Sequence, residues 1–325
     1  MKNPYDILGI GAPILDRIIP VKDDFIRNLP GGKGGMILID SATCADFLTN
    51  FEGIGSIAPG GSAANVIKTL AHFNQKCAFL GKIGHGTIGK DFWEPTLLEQ
   101  NIVPLFSYSA TPTGIAFCFV TPDGERTMRT YLGAGMEMSS KDIRPSIFDG
   151  IKLLHMEGYN LVKGDLVEKS FEHAKNAGAL ISFDLSGYEI VEQYREKVLF
   201  LLEKYVDIVI ANTDEAKALT QLSGSDACSF LSNICLCAVV MAGKLGCYAG
   251  SKEQLIYQPV DSVEPIDSTG AGDLFTGGFL YAYLKGFPLE KCAKLGNILG
   301  KHAVQVLGAD LPSETWITIK KSSIL

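Results

Sequence analysis

No apolar run in the 325-residue chain approaches the ~20 residues that a membrane span needs. No cluster of Lys and Arg stands out either. The formal net charge of −7 and a pI near 5.3 leave no basic face for nucleic acid. The eight cysteines, at 44, 77, 118, 228, 235, 237, 247 and 292, are scattered through apolar stretches, and Cys235-Leu236-Cys237 has no second pair at zinc spacing. Thiols so placed read as reduced core residues of a cytoplasmic protein. The start, Met1-Lys2-Asn3-Pro4-Tyr5-Asp6, carries no apolar signal-peptide segment and leads into a strand. Two ligand patterns are incomplete. Gly9-Ile10-Gly11 opens a dinucleotide fingerprint but lacks the third Gly and a following helix, so a dinucleotide-dependent oxidoreductase has little behind it. Pro30-Gly31-Gly32-Lys33-Gly34-Gly35 has Gly34 where a P-loop needs Ser or Thr, and reads as a solvent loop. With 46% apolar and 20% charged residues, the chain is long enough for one or two globular domains.

What is present centres on Asp267-Ser268-Thr269-Gly270-Ala271-Gly272-Asp273. Gly270 and Gly272 let the backbone turn tightly and approach a ligand. Phe275, Gly278, Phe279, Ala282 and Tyr283 then recur at helical spacing, and Lys285-Gly286-Phe287-Pro288 ends the helix. A glycine turn opening a helix is an anion site, because its first N–H groups lack intrahelical acceptors. Asp273 at that edge has two readings. It complements the helix dipole, or it accepts the proton of an attacking hydroxyl.

Further signals lie on either side. Asp16 is a lone acid in the strand-like run 14–21; it is either an edge carboxylate or a grip on substrate hydroxyls. Gly60-Gly61 precede a helix for which Ser62 is the expected N-cap, with Asn65 in the first turn. Residues 111–132 read as a hairpin turning at Pro122-Asp123-Gly124-Glu125. From 150 onwards strands alternate with helical segments, among them 191–204, which predicts a doubly wound, mostly parallel α/β sheet flanked by helices. Glu157, Asp184 and Asn212 stand at strand ends. Thr213 is the expected cap of the next helix, with Glu215 in its first turn. His155 reads as a core histidine.

The string 267–275 resembles the signature Asp-Thr-x-Gly-Ala-Gly-Asp-x-Phe of the ribokinase-like (PfkB) carbohydrate kinase family, with Ser268 for the usual Thr. Gly60-Gly61 with Asn65 is similar to its N-terminal signature, and Asn212-Thr213-Asp214-Glu215 to its Asn-x-x-Glu motif. The resemblance implies one domain over 1–325, with a small β lid formed by about 14–50 and 106–132 over the acceptor. It implies ATP as donor with Mg²⁺, Asp273 as base, and the amides of Gly270, Ala271 and Gly272 as anion hole. Asp16, Gly60, Gly61, Asn65 and Glu157 fall on the acceptor side. Asn212, Glu215, Ala242, Gly243, Gly246 and Asn297 fall on the nucleotide side, Glu215 reaching Mg²⁺ through water and Asn297 beginning a helical patch beside the adenine. Asp267, Thr269, Val304, Leu307 and Ala309 resemble a site for a monovalent cation such as K⁺. Gly11-Ala12-Pro13-Ile14-Leu15-Asp16 and the long segment before Gly60 are closer to the adenosine-kinase branch, although Ala12 stands where that branch has Asn. The implied acceptor is therefore a hydroxymethyl oxygen of an adenosine-like nucleoside, with ribose or fructose as alternatives and a non-catalytic binding relative as the other class. A lid edge pairing two copies into a homodimer is a further implication.

Overall fold

The computed structural model describes residues 3–321. A nine-stranded sheet runs in the order Leu255–Gln258, Cys247–Gly250, Cys237–Met241, Ile208–Asn212, Leu180–Asp184, Leu153–Glu157, Ile7–Ile10, Cys77–Gly84, Ile102–Ser109. The strands from Cys237–Met241 to Ile102–Ser109 are parallel, and the two at the other edge pair antiparallel. Ile7–Ile10 and Leu153–Glu157 are buried at every position, as expected of parallel strands covered by helices on both faces. Two apolar clusters, one per face, form that cover. The strand order reverses beside Ile7–Ile10, so Ala12, Glu157, Asp184, Asn212 and Met241 emerge together at the carboxyl ends, where ligands bind in such sheets.

Above this point stands a five-stranded sheet, Met36–Leu38, Arg126–Gly133, Thr113–Val120, Ile14–Pro20, Ser56–Gly60. Alternation sorts its two faces. Leu15, Ile19, Ile115, Phe117 and Phe119 pack under the helices Asp23–Arg27 and Ser41–Asn50, with Phe25 and Phe47 centred 4.9 and 5.2 Å from Phe119 and Phe117. Ile14, Asp16, Ala116, Arg126, Met128, Thr130 and Leu132 face the large sheet and line a cavity.

The expected boundaries shift in three places. Residues 106–109 belong to the large sheet, where Ile102–Ser109 pairs in parallel with Cys77–Gly84. Ser56–Gly60, beyond the expected 14–50, closes the small sheet against Ile14–Pro20. The helix expected over 191–204 is two helices, Tyr188–Gln193 and Arg195–Lys204, meeting at Tyr194. The glycine loop 30–35 faces solvent, as expected, and is tied to its neighbours: Arg129 donates to the carbonyls of Pro30 and Gly32, and Lys33 pairs with Asp23 and Asp123 at 2.7 and 2.6 Å.

All eight cysteines are buried free thiols. Among the described residues no helix is long and apolar enough to cross a membrane.

Candidate active site

The cavity between the two sheets has a volume of about 610 Å³. One of its walls is the start of the helix Ala271–Leu284. Gly270 precedes that helix at φ 70°, and a Cβ there would lie 2.4 Å from Cβ of Ala309, so only glycine fits the turn. The helix sits deep because Gly277 and Gly278 leave room for Thr69 and Leu299, whose atoms would lie 2.4 and 2.3 Å from added Cβ groups. That close packing against the helix Ser62–His72 brings two N-terminal turns together.

Asp273 lies where they meet. Its Oδ1 accepts from Ser62 Oγ at 2.7 Å and its Oδ2 from Asn65 Nδ2 at 2.8 Å. Burial pushes its carboxyl above the usual range, opposed by these two donors and by the Arg126 and Lys68 charges. The N–H groups of 271–273 have no intrahelical acceptor; that of Ala271 makes a long 3.4 Å contact to the Ser268 carbonyl.

Ser62 is not the N-cap expected. That position is Gly61, held at φ 95° because a Cβ would stand 2.3 Å from the Ala12 carbonyl oxygen, and the Ser62 hydroxyl turns to Asp273 instead. Asn65 likewise gives its amide to Asp273, leaving its buried Oδ1 without a partner.

Asp16 lies buried in the strand Ile14–Pro20, and burial pushes its carboxyl up to about 6. Glu157 lines the cavity with both oxygens taken: Oε1 accepts from Ala12 N at 3.0 Å and Oε2 from Ala63 N at 2.8 Å. It clamps the turn after the first strand onto the first turn of the helix Ser62–His72. Burial raises its pKa.

The cap of the helix Thr213–Thr220 is Asn212, not Thr213. Asn212 Oδ1 accepts from the amides of Asp214 and Glu215, and Glu215 answers through Asn212 N at 2.8 Å, a reciprocal box of the kind worth about 0.5–2 kcal/mol. Glu215 and Asp184 are both buried and both line the cavity. Each carboxyl is held above its usual range, first by burial, then by neighbouring carboxylates: Asp273 for Asp184, and Asp184 for Glu215.

Of the other expected residues, Thr269 lines this cavity, while Ala242, Gly243, Gly246, Asn297, Asp267, Val304, Leu307 and Ala309 are not among its lining residues. Ala242, Gly243 and Gly246 form the turn after Cys237–Met241; Gly243 sits at φ 56° with open space beside it, and Gly246 at φ 104° abuts the Gln258 carbonyl. Asn297 does not begin a helix. It lies within Leu289–Ala303 and donates to the Gln258 carbonyl at 2.9 Å. Asp267, Thr269, Val304 and Ala309 gather in one loop pair: Asp267 accepts from Thr269 N at 2.9 Å and Gly308 N at 2.8 Å, and Val304 O accepts from Ile266 N at 2.7 Å. Leu307, 54% exposed, lies at its rim. His155 is the buried core histidine expected.

Arg126 is the residue that motif reading missed. It lines the cavity from the small sheet, its Nη1 buried without a partner; burial disfavours its charge, and the neighbouring Asp16, Asp267 and Asp273 carboxylates favour it. The one available signal was its place on the inward face of an alternating strand.

A half-buried carboxylate beside a glycine-opened helix start, under a second sheet, is the arrangement of a phosphotransferase cleft. The sequence matches the pfkB family carbohydrate kinase profile over residues 54–316. The chain is similar to a probable sugar kinase from Rhizobium etli CFN 42 (30% identity, all of both chains covered, TM-score 0.91). It is also similar to the adenosine kinase from Sinorhizobium meliloti (31% identity, 98% of this chain and 99% of that one, TM-score 0.90). The ribokinase of Mus musculus is 26% identical over 77% of this chain and 79% of its own length. The chain belongs to the pfkB family of carbohydrate kinases, in its ribokinase-like, adenosine-kinase-like branch. It is a phosphotransferase with an alcohol group as acceptor, and kinases of this family use ATP with Mg²⁺.

Proposed function

We propose that this chain transfers the γ-phosphoryl group of ATP to a hydroxymethyl oxygen of an adenosine-like nucleoside. The observation that carries the reading is the Asp273 carboxylate, fixed by Ser62 and Asn65 at 2.7 and 2.8 Å beside a helix start and in one cavity with Asp16. Asp273 accepts the proton of the attacking hydroxyl. The amides at Gly270, Ala271 and Gly272 hold the charge that develops on the transferred group. Arg126 adds a positive charge from above. Asp16 accepts from an acceptor diol, while Gly60, Gly61 and Asn65 shape the floor beneath it and Glu157 holds that floor in place.

The nucleoside preference rests on the remaining wall. Ile14, Met36, Leu38, Met128 and Leu132 give apolar surface that a flat base uses and a free sugar does not. Ribose or fructose is the second reading, supported by the sugar-kinase and ribokinase relatives.

Mg²⁺, when bound, neutralises charge on the donor phosphates. The buried, mutually repelling Asp184 and Glu215 carboxyls fit a cation, and magnesium needs few protein ligands. Asn212 fixes Glu215. Ala242, Gly243, Gly246 and Asn297 border the donor nucleotide, and the loop pair of Asp267, Thr269, Val304, Leu307 and Ala309 takes K⁺. The small sheet acts as the lid that excludes water.

The test is ADP release with ATP and Mg²⁺ over adenosine, inosine, ribose and fructose. Adenosine is expected to give the highest kcat/KM, and Asp273→Asn to lower turnover roughly 10²–10⁴-fold with ATP binding kept. Equal turnover by that variant removes Asp273 from the mechanism. Tight nucleoside binding without ADP release makes the chain a binding relative.

A further inference from the structure

The Ser62 hydroxyl makes one hydrogen bond, to Asp273. Ser62 is the first residue of its helix, displaced from the capping position by Gly61, and its hydroxyl reaches 211 residues along the chain to Oδ1 at 2.7 Å. A carboxylate oxygen offers two lone pairs. Ser62 takes one on Oδ1 and Asn65 one on Oδ2, which fixes the plane of the carboxylate and leaves one acceptor site on each oxygen. We propose that Ser62 is a positioning residue of the phosphoryl transfer, aiming the Asp273 carboxylate and holding it in its ionised, proton-accepting form. The proposal rests on the kinase reading above and deepens it.

The charged and titratable groups around Asp273 come from every packed element. Lys68 lies on the helix that carries Ser62 and Arg126 on the small sheet; Asp16, Glu157, Asp184 and Glu215 are the surrounding acids, and the Tyr159 phenol lines the same cavity. Burial favours the protonated form of Asp273; the hydrogen bonds that Asn65 and Ser62 donate to the ionised form oppose it, and the Arg126 and Lys68 charges act in the same direction as those bonds. Removing one such donor raises the carboxyl pKa.

The test compares wild type, Ser62→Ala and Ser62→Thr by two readouts. The first is the pH profile of kcat/KM for the acceptor. In Ser62→Ala its acid limb is expected to move to higher pH, about tenfold in rate below the limb for each pH unit moved, with recovery on the alkaline side. Ser62→Thr restores the profile, and the KM for ATP stays unchanged. The second is the Asp273 carboxyl titration itself, followed by ¹³C chemical shift and assigned with Asp273→Asn; it is expected to move the same way. The two separate the failures. A titration that moves in a protein that phosphorylates no acceptor shows that Ser62 holds the Asp273 carboxylate but sinks the kinase reading, and with it the part of the proposal that concerns phosphoryl transfer. A Ser62→Ala enzyme whose rate falls equally at every pH, or whose carboxyl titrates as in wild type, overturns the proposal.

Discussion

The Asp16 carboxylate lies against the bare α-carbon of Gly60: a methyl group there would stand 2.2 Å from Oδ1 and 2.4 Å from Oδ2. Gly60 pairs with Ile14 two residues away, so the two strands hold this contact rigidly. Gly60→Ala must therefore turn Asp16 away from the acceptor. Acceptor KM is expected to rise at least about tenfold, the ~1.4 kcal/mol of one good hydrogen bond to a charged group, with the KM for ATP unchanged. Steady-state kinetics with each substrate varied in turn check it; an unaltered acceptor KM removes Asp16 from that role.

Glu157 holds two backbone amides, one from each of two segments. Glu157→Gln keeps the shape but turns an N–H₂ toward an N–H. One buried donor is left unpaired, at a cost of roughly 1–3 kcal/mol. A lower melting temperature, with acceptor kcat/KM reduced through the loosened Ser62–His72 helix start, is the expected outcome in scanning calorimetry and kinetics. Unchanged stability would show that the clamp does not matter.

Arg126 presents a buried Nη1 without a partner to a cavity of carboxylates. Arg126→Met removes the charge and keeps most of the bulk. Turnover is expected to fall roughly 10²-fold, as for loss of one donor to a developing anion, while thermal stability holds or rises. Single-turnover ADP formation is the measurement. A full rate in the variant would leave Arg126 a structural arginine.

Asp184 and Glu215 have folded pKa values raised by burial and by neighbouring acids. Groups raised in this way contribute their stability below the unfolded value, about 4 for a carboxyl, and lose it as pH rises through the folded value. The protein without ligands should therefore lose stability between about pH 5 and about pH 8. Asp184→Asn removes one of the acids and should raise the melting temperature by a few degrees at the upper pH, with little change at the lower. Thermal unfolding in matched buffers decides it, and a variant with the wild-type pH slope would contradict the coupling.

Local chemistry explains what was readable without a structure. Gly270 and Gly272 before a stripe of Phe275, Gly278 and Phe279 dictate a glycine-opened helix, and Ala271–Leu284 is that helix. Apolar runs separated by helical segments dictate a parallel α/β sheet, because strands covered on both faces are apolar at every position. The hairpin at 122–125 followed from its turn residues and its alternation.

Tertiary structure decided the rest. Whether Ser62 caps its own helix or reaches Asp273 depends on how closely two helices approach, and Gly277 against Thr69 sets that distance. Thr213 was as good a cap as Asn212 by composition; the backbone entering the helix chose Asn212. Ile102–Ser109 had the pattern of either sheet and joined the one whose edge, Cys77–Gly84, was there to be paired. Arg126 became part of the cavity only once its strand was laid over the switch point of the large sheet. Periodicity and turn chemistry act within about a dozen residues, whereas the Ser62–Asp273 contact spans 211 and the pairing of Ile102–Ser109 with Cys77–Gly84 also lies beyond that reach, so there the packed backbone selects the partner.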